Sequence, residues 1–318
     1  MWGAVVILTI AAGISASAEV FPASPEVLHA DSRIVSGWEA REGQFPYMLW
    51  LRTVRWTGDI TACGGSIIHQ RWGLTSARCT AQRVEITIHA GSVNRNTPRV
   101  VLQALDTFRP PGYDDAMQPI TQPNDISLMR FNQDLTFNSN IQPIRIQRSA
   151  DRDRDYSSVV MTTSGWGTTW TCIEANCPTP VILNWVHLRG VSNFMCLLMY
   201  NSNYLIRPTT ICAGPYNVTS QSICGGDSGV PLTTVEADGV ATQIGVGSFA
   251  SGFGCHVGLP GGFTRPGHYH DWIRQVTGIS FDRNAVADEE LTNMDAQANE
   301  DNVTLNILET GENVKIYQ

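Results

Sequence analysis

The chain has 318 residues, 42% of them hydrophobic, and is long enough to bury one large core or two smaller ones. Its formal net charge of −8 excludes the strongly basic surface typical of nucleic-acid-binding proteins, so no nucleic acid is expected as a partner. After the first residues, no apolar stretch is long enough to span a bilayer as a helix, and no membrane attachment is expected.

The start of the chain has the pattern of a secretory signal peptide. A short apolar stretch from Gly3 to Ile14 ends at a small-residue Ala-Ser-Ala pattern, which predicts a signal peptide of residues 1–18 cleaved before Glu19. The stretch is too short to cross a membrane. The sequence therefore predicts a secreted, extracellular product.

After the predicted signal peptide, the pattern of side chains predicts many short strands. Residues 83–89 alternate between polar and apolar side chains, and glycine or proline turns recur about every ten residues, a pattern typical of an all-β barrel protein. One helix is predicted late in the chain, where Tyr269, Trp272, Ile273 and Val276 fall on one face.

The last segment, residues 281–318, holds nine acidic and two basic side chains, a net charge of −7. Such a segment is usually a solvated, partly disordered extension. The alternative is a hairpin, because apolar residues alternate at 303–307 and again at 314–316 around a turn-like stretch.

Several motifs between residues 33 and 280 carry a family resemblance. The run from Cys224 to Pro231 reads Cys-Gly-Gly-Asp-Ser-Gly-Val-Pro and surrounds Ser228. The others are Arg33-Ile34-Val35-Ser36-Gly37, Phe45-Pro46-Tyr47, Cys63-Gly64-Gly65-Ser66-Ile67-Ile68, Leu74-Thr75-Ser76-Ala77-Arg78-Cys79, Asn124-Asp125-Ile126-Ser127-Leu128-Met129 and Ser164-Gly165-Trp166-Gly167. In these motifs, and in their order, the chain resembles the chymotrypsin-like (trypsin-fold, peptidase S1) serine proteases.

The resemblance implies an all-β fold of two antiparallel β-barrels with the site in the cleft between them and a C-terminal helix. It also implies a propeptide of residues 19–33, a protease domain of residues 34–280 and an acidic extension of residues 281–318. A trypsin-like protease would cut after Arg33, and the new ammonium group of Ile34 would pair with Asp227.

The catalytic positions implied by the resemblance are Arg78, Asp125 and Ser228, in the chain order base, acid, serine. A serine hydroxyl attacks a carbonyl only when a neighbouring base takes its proton, and arginine remains protonated at any relevant pH. Arg78 stands where the family has its histidine, so it is predicted to be non-functional as a base. None of His69, His89, His268 and His270 stands at a position from which the family geometry would bring it to Ser228.

The remaining site residues follow from the same resemblance. The backbone N–H groups of Gly226 and Ser228 would form the oxyanion hole. Ser222, Ala250 and Gly261 would shape a pocket for a mid-sized apolar side chain, and a peptide would pair with the backbone of Ser248, Phe249 and Ala250. Val230 and Ala250 stand where the family usually has glycine, which predicts a cleft less strictly held to a catalytic shape.

Eight cysteines in a secreted chain predict full pairing, although eight allow 105 connectivities. The resemblance implies the pairs Cys63–Cys79, Cys196–Cys212 and Cys224–Cys255, which leaves Cys172–Cys177 as a local link. The cysteine spacing does not resemble a zinc site, and no metal or cofactor is expected. Asn217 and Asn302 each begin an Asn-Val-Thr acceptor for N-glycosylation.

The leading hypothesis is a secreted serine protease homologue that binds peptides, inhibitors or other proteins, proteases among them, without cleaving them. A second is an active or weakly active chymotrypsin-like serine endopeptidase of digestive type, in which solvent acts as the base for Ser228 and high pH helps. A third is that Arg78 reflects a sequence error or a recent allele of an active enzyme, because one base change converts a histidine codon to an arginine codon.

The basic residues are unusual in type. Of the 21 Lys and Arg residues, only Lys315 is lysine. Arginine keeps its charge at a pH where lysine loses it, which favours an alkaline medium such as the gut lumen of an insect. Nucleotide-composition bias explains the same observation equally well.

Overall fold

The computed structural model describes residues 37–168, 179–201 and 204–283. The predicted signal peptide and propeptide, the activation residues Arg33 and Ile34, the pair Cys172 and Cys177, Asn302 and the extension after residue 283 lie outside these ranges. Within them, no helix combines the length and apolarity needed to cross a membrane.

The described chain is built almost entirely from short strands, as the sequence predicts. They are β1 (Trp38–Glu39), β2 (Met48–Arg55), β3 (Ile60–His69), β4 (Trp72–Thr75), β5 (Arg83–Ala90), β6 (Val100–Phe108), β7 (Ser127–Phe131), β8 (Arg145–Ile146), β9 (Val160–Gly165), β10 (Asn184–Val191), β11 (Thr210–Pro215), β12 (Pro231–Val235), β13 (Ala241–Phe249) and β14 (Gly261–Thr264). The helices are α1 (Ala77–Thr80), α2 (Asn193–Tyr200) and α3 (His270–Thr277).

The first six-stranded barrel is closed and antiparallel, in the order β2-β3-β4-β7-β6-β5. Alternation along β5 buries Ile86, Ile88 and Ala90 on the inner face and leaves their neighbours more exposed, so the predicted strand is confirmed. These side chains meet Leu49 from β2 and Phe131 from β7 in one apolar cluster. Burial of these apolar side chains drives closure of the barrel.

The second barrel follows the order β9-β10-β11-β14-β13-β12 and closes because β9 pairs with both β10 and β12. Its core contains Val186, Leu188, Leu232 and Phe263, all fully buried. Two antiparallel β-barrels, few helices and a C-terminal helix confirm the predicted fold class.

A third apolar cluster joins the two barrels beneath the closing helix. Leu74 and Leu128 from the first barrel and Val246 from the second pack with Tyr269 and Ile273. The one-sided apolar pattern predicted for this helix is therefore confirmed, because Ile273 is fully buried and Trp272 and Val276 pack against the same cluster. The helix ends at Gly278, which has a φ of 73°.

Three disulfides tie loops to the barrels. Cys63 pairs with Cys79, Cys196 with Cys212 and Cys224 with Cys255, with Cα–Cα distances of 6.2, 6.4 and 5.4 Å. These are the three pairs that the resemblance implies, and they are confirmed. The first attaches α1 to β3, and the last anchors the loop that carries Ser228.

The first residues of the acidic extension pack on the barrels. The backbone N–H of Ser149 donates to Asp282 Oδ1 at 2.9 Å, and Arg283 pairs with Glu236 at 3.1 Å. Phe281 joins the apolar cluster under α3. The folded body therefore continues at least to residue 283.

Candidate active site

Arg78 lies in α1, a single helical turn attached to β3 by the Cys63–Cys79 bridge. Its backbone N–H donates to Asp125 Oδ1 at 2.9 Å, and its Nε donates to Asp125 Oδ2 at 3.1 Å. Its Nη2 donates to Thr121 Oγ1 at 2.9 Å. The side chain is 23% exposed, so the guanidinium lies at the cleft surface with one edge turned towards the buried acid.

Asp125 lies in the loop that leads into β7 and is 1% exposed. Ser248 Oγ, at the end of β13, donates to its Oδ2 at 2.7 Å and so connects the acid to the second barrel. Burial raises the pKa of Asp125 above its ordinary value, and the positive charge and hydrogen bonds of Arg78 oppose that rise. Every oxygen of this carboxylate thus has a donor, and Arg78 provides one for each.

The backbone around Asp125 is held in place by residues that have no predicted catalytic role. Asn124 has a φ of 59°, the left-handed region that asparagine tolerates better than most residues. Its Oδ1 accepts a hydrogen bond of 2.9 Å from the hydroxyl of Tyr269. The closing helix therefore helps to fix the position of the acid.

The turn that carries Ser228 is wedged between the barrels. The Ser228 carbonyl accepts from Gly64 N–H at 2.8 Å, and Gly229 N–H donates to the Gly247 carbonyl at 2.7 Å. Gly229 has a φ of 86°, and a Cβ there would overlap Thr75 and the Gly64 carbonyl, so only glycine fits.

Val230 fits its surroundings without distorting them. The side chain is fully buried and packs against the backbones of Gly64, Gly165 and Gly247, where a Cβ would lie 2.5, 3.0 and 3.1 Å from its methyl groups. The sequence predicts that Val230 leaves the cleft less strictly held to a catalytic shape. The packing shows instead that three glycines accommodate it.

Some backbone amides of this turn have no acceptor among the described residues, and those of Gly226 and Ser228 are two of them. Asp227 N–H donates to the Cys224 carbonyl at 3.0 Å, whereas the N–H groups of Gly226 and Ser228 donate to none of the described residues. A pair of unpaired N–H groups beside a serine is the arrangement needed to stabilise an oxyanion.

Asp227 lies behind this turn and is 1% exposed. Its Oδ1 accepts from Gly167 N–H at 2.8 Å and its Oδ2 from Cys224 N–H at 2.9 Å. Burial raises its pKa to about 6, with the two backbone hydrogen bonds opposing the rise. Its carboxylate lies directly against Gly165 and Gly167, where any side chain would overlap it.

A cavity of about 210 Å³ opens beside Ser228. Arg78, Ser228, Phe249 and Ala250 are among the residues that line it. The half-buried ring of Phe249 packs edge-on against Tyr200 of α2, with 5.4 Å between ring centroids. The structure therefore brings Arg78, the serine and the predicted peptide-binding strand to one cleft.

The predicted pocket residues Ser222 and Gly261 do not line this cavity. Ser222 is 3% exposed, and its hydroxyl donates to the Ile223 carbonyl at 3.0 Å. Ile223 is among the residues that line the cavity, and its side chain lies so close to Gly261 that a Cβ there would be 2.9 Å away. Ile223 therefore lines the cavity beside Ser228, whereas Ser222 and Gly261 do not.

The histidines considered as replacement bases lie in other surroundings. His69 accepts from Arg71 N–H at 3.2 Å, His89 contacts the Arg95 carbonyl at 2.7 Å and His270 contacts the Gln147 carbonyl at 2.7 Å. The fourth, His268, lies 3.2 Å from an Asp153 oxygen. The described residues also contain no cluster of three or more His, Cys, Asp or Glu side chains suited to a metal ion.

Sequence reasoning missed three residues of the site. Thr121 and Tyr269 act through hydrogen bonds to side chains distant in the chain, and no motif marks them. Ile223 had a signal, since it follows Ser222 directly in the segment identified as the pocket floor. Asn217, a predicted glycosylation acceptor, lies exposed in the loop after β11.

Comparison with known proteins gives a consistent result. The chain is similar to a collagenase of Hypoderma lineatum, at 32% identity over 79% of this chain and 90% of the collagenase. It is similar to Serine protease 1 of Drosophila melanogaster at 33% identity over 78% and 87% of the two chains, and to Chymotrypsin-2 of Vespa crabro at 33% over 76% and 99%.

The solved structure of HL collagenase superposes with a TM-score of 0.67 and 33% identity, covering 78% of this chain and 100% of that one. The family model described as Trypsin matches residues 34–273. Together with the two barrels and the serine turn in the cleft between them, this match shows that the chain belongs to the trypsin family of serine proteases.

Proposed function

We propose that this protein is a secreted serine protease homologue with impaired catalysis, which binds peptides or proteins in its chymotrypsin-like cleft without cleaving them. The three disulfides of the described residues fit an extracellular protein. Its partners would be peptides, protease inhibitors or other proteases, and a trypsin-like protease would activate it by cleavage after Arg33. An alkaline gut lumen fits its arginine-rich surface.

One observation carries the proposal: Arg78 occupies the place of the general base and is bound to the acid. Asp125 receives two hydrogen bonds from Arg78 and one from Ser248. A serine needs a neighbour that can accept its proton and later return it to the leaving group. A guanidinium does neither, and the aspartate has no imidazole to orient.

The expected loss of activity is large. Removing the base from a serine protease triad costs on the order of 10⁶ in turnover, roughly 8 kcal/mol of transition-state stabilisation. The free amides of Gly226 and Ser228 would retain the part of catalysis that comes from the oxyanion hole. Binding would depend on the cavity and on the end of β13, where Ser248 and Phe249 line that cavity.

The test is hydrolysis of a mixed peptide library by the purified protein, cleaved after Arg33, from neutral to alkaline pH. We expect mass spectrometry to find intact peptides, some of which remain bound to the protein. Chymotrypsin serves as a positive control for the library. Cleavage after apolar residues at a rate near that of the control contradicts the proposal.

A second candidate function is weak chymotrypsin-like endopeptidase activity. It is favoured by the free amides beside Ser228 and by the names of the relatives, which include a collagenase and a chymotrypsin. Here solvent would act as the base, so cleavage would be slow and would increase with hydroxide concentration. A library cleaved only at high pH, and not by a Ser228→Ala variant, would favour this function.

A further inference from the structure

Several N–H donors in or beside the cleft have no acceptor among the described residues. Arg78 uses its backbone N–H, Nε and Nη2, but Nη1 donates to no described residue. The amides of Gly226 and Ser228 are likewise unused. Arg78 and Ser228 line the same cavity, so a fixed positive charge shares a small space with the predicted oxyanion site.

From this arrangement we infer that the cleft binds peptides by a free C-terminal carboxylate that follows an apolar residue. The inference rests on the proposed function, because it names the ligand class of the same cleft. One carboxylate oxygen would accept from the Gly226 and Ser228 amides. The other would accept from Nη1 of Arg78.

The chemistry distinguishes this cleft from that of an active relative. A hydrogen bond between a guanidinium and a carboxylate is charge-assisted and stronger than one between neutral groups. A neutral imidazole at position 78 would offer no such charge. Arginine therefore turns a site built for a transient oxyanion into one suited to a permanent anion.

The nearby acids do not cancel this preference. Asp125 faces the opposite edge of Arg78, where its oxygens are filled by Arg78 and Ser248. Asp227 also lines the cavity, but its two oxygens accept from the backbone N–H groups of Gly167 and Cys224. Neither carboxylate accepts from Nη1 of Arg78 or from the amides of Gly226 and Ser228.

The size of the pocket fits the residue that would precede the carboxylate. Ile223, Phe249 and Ala250 give the cavity an apolar part of its lining, and its volume of about 210 Å³ suits one side chain. Peptides of this kind are the products of endopeptidases that cut after apolar residues. The reaction that supplies the ligand would therefore be cleavage of protein chains by an active protease of that specificity.

The test compares two acetylated tetrapeptides that end in leucine, one with a free carboxylate and one with a carboxamide. Their dissociation constants for the purified full chain are measured by calorimetry at neutral pH. We expect the acid to bind about tenfold more tightly than the amide, the effect of one charge-assisted hydrogen bond. Equal affinities, or no binding of either peptide, overturn the inference.

Variants assign the effect to Arg78. Arg78→Gln should bring the ratio of the two affinities close to one, while Arg78→Lys, which keeps the charge, should retain part of it. Arg52→Gln is the matched control, because Arg52 pairs with Glu85 on the outside of the first barrel. If Arg78→Gln does not fold, the lysine variant and wild type at rising salt still test the charge. An undiminished preference in the glutamine variant, or one insensitive to salt, contradicts the inference.

The two proposals fail in different ways. Hydrolysis of library peptides by the wild type would refute impaired catalysis and leave the affinity ratio to be measured in a Ser228→Ala variant. Intact peptides with equal affinity for acid and amide would leave the proposed function standing and refute the carboxylate preference.

Discussion

Arg78 binds Asp125 through both carboxylate oxygens, with its backbone N–H 2.9 Å from Oδ1 and its Nε 3.1 Å from Oδ2. In an active triad one of these contacts would orient an imidazole. Here Asp125 and Arg78 form a part-buried ion pair, so this carboxylate anchors α1 to the loop before β7.

The first prediction concerns restoration of catalysis. Arg78→His should place an imidazole between Asp125 and Ser228 and increase cleavage after apolar residues by several orders of magnitude, because it returns a proton acceptor to the serine. The rate is measured with chromogenic peptides ending in leucine or phenylalanine. Arg78→Gln, which supplies no base, is the control. Equal rates for the two variants would show that more than the base is missing.

The second prediction concerns stability. Arg78→Leu leaves Asp125 buried without its cation and should lower the free energy of unfolding by about 3–5 kcal/mol, as measured by urea denaturation. Arg52→Leu, which breaks an exposed ion pair, should cost less than about 1 kcal/mol. Adding Asp125→Asn to Arg78→Leu should recover part of the loss. Similar costs for the two arginine variants would mean that the buried pair contributes little.

The third prediction concerns the reactivity of Ser228. The wild type should react very slowly with a phosphonylating serine reagent, because no described group is positioned to take the hydroxyl proton. Labelling is followed by intact-protein mass spectrometry, with chymotrypsin as the reactive standard. Rapid, stoichiometric labelling of Ser228 would mean that another group activates it.

The fourth prediction concerns the acid-side stability of the uncleaved chain. Burial raises the pKa of Asp227 from 3.8 to about 6, so the folded chain holds a proton that the unfolded chain releases. The protonated Asp227 carboxyl contributes its full stabilisation below about pH 4, and this contribution is lost as pH rises through 6. The free energy of unfolding should fall by about 3 kcal/mol over this range. Urea unfolding across this pH range gives the free energy of unfolding of the wild type and of Asp227→Asn. The two plots of that free energy against pH should differ in slope. Parallel profiles contradict the assignment.

Cleavage after Arg33 provides the control for Asp227. If the new ammonium group of Ile34 pairs with this carboxylate, as the resemblance implies, the charged form becomes the favoured one and the loss of stability above pH 4 should disappear. Mass spectrometry of trypsin-treated protein identifies the new amino terminus. A chain that stays intact between Arg33 and Ile34 under conditions that activate relatives would exclude this switch.

The fifth prediction concerns alkaline pH. Burial raises the pKa of Tyr47, Tyr200 and Tyr269 from 10.0 to about 12, so these hydroxyls stay neutral in the folded chain at pH values where they ionise in the unfolded one. Their stabilising effect persists below about pH 10 and is lost as pH rises through 12. The melting temperature should therefore hold to roughly pH 10, since almost no lysine charge is lost, and then fall. Unfolding by pH 9 contradicts this prediction, and Tyr47→Phe should make the later fall less steep.

Strands and helices whose apolar side chains recur at a regular spacing were predictable from the sequence, and those without such a repeat were not. The alternation in β5 and the apolar face of α3 follow directly from the pattern of side chains. By contrast, α2 went unpredicted because apolar residues occur around most of its circumference, with Phe194 68% and Leu198 60% exposed. Such a segment gives no one-sided signal.

The same distinction holds within the site. The positions of Ser228 and Asp125 followed from short motifs, whereas the contact of Arg78 with Thr121 depends on the direction in which the guanidinium leaves α1. The fit of Val230 depends on three glycines from β3, β9 and β13 that meet only in the folded chain. A substitution that looks disruptive in one segment can be accommodated by residues far away in the chain.

The turn that carries Ser228 is hydrogen-bonded to both barrels, and this affects how activity can be predicted from sequence. The Ser228 carbonyl and the Gly229 amide join the turn to both barrels, and the carboxylate of Asp227 fills the space left by two glycines. The Gly-Asp-Ser-Gly run thus forms part of the joint that holds the molecule together, and this requirement remains when the chemistry is lost. The run is therefore a marker of architecture here, and under the proposed function the residue at position 78 is the better marker of enzymatic competence.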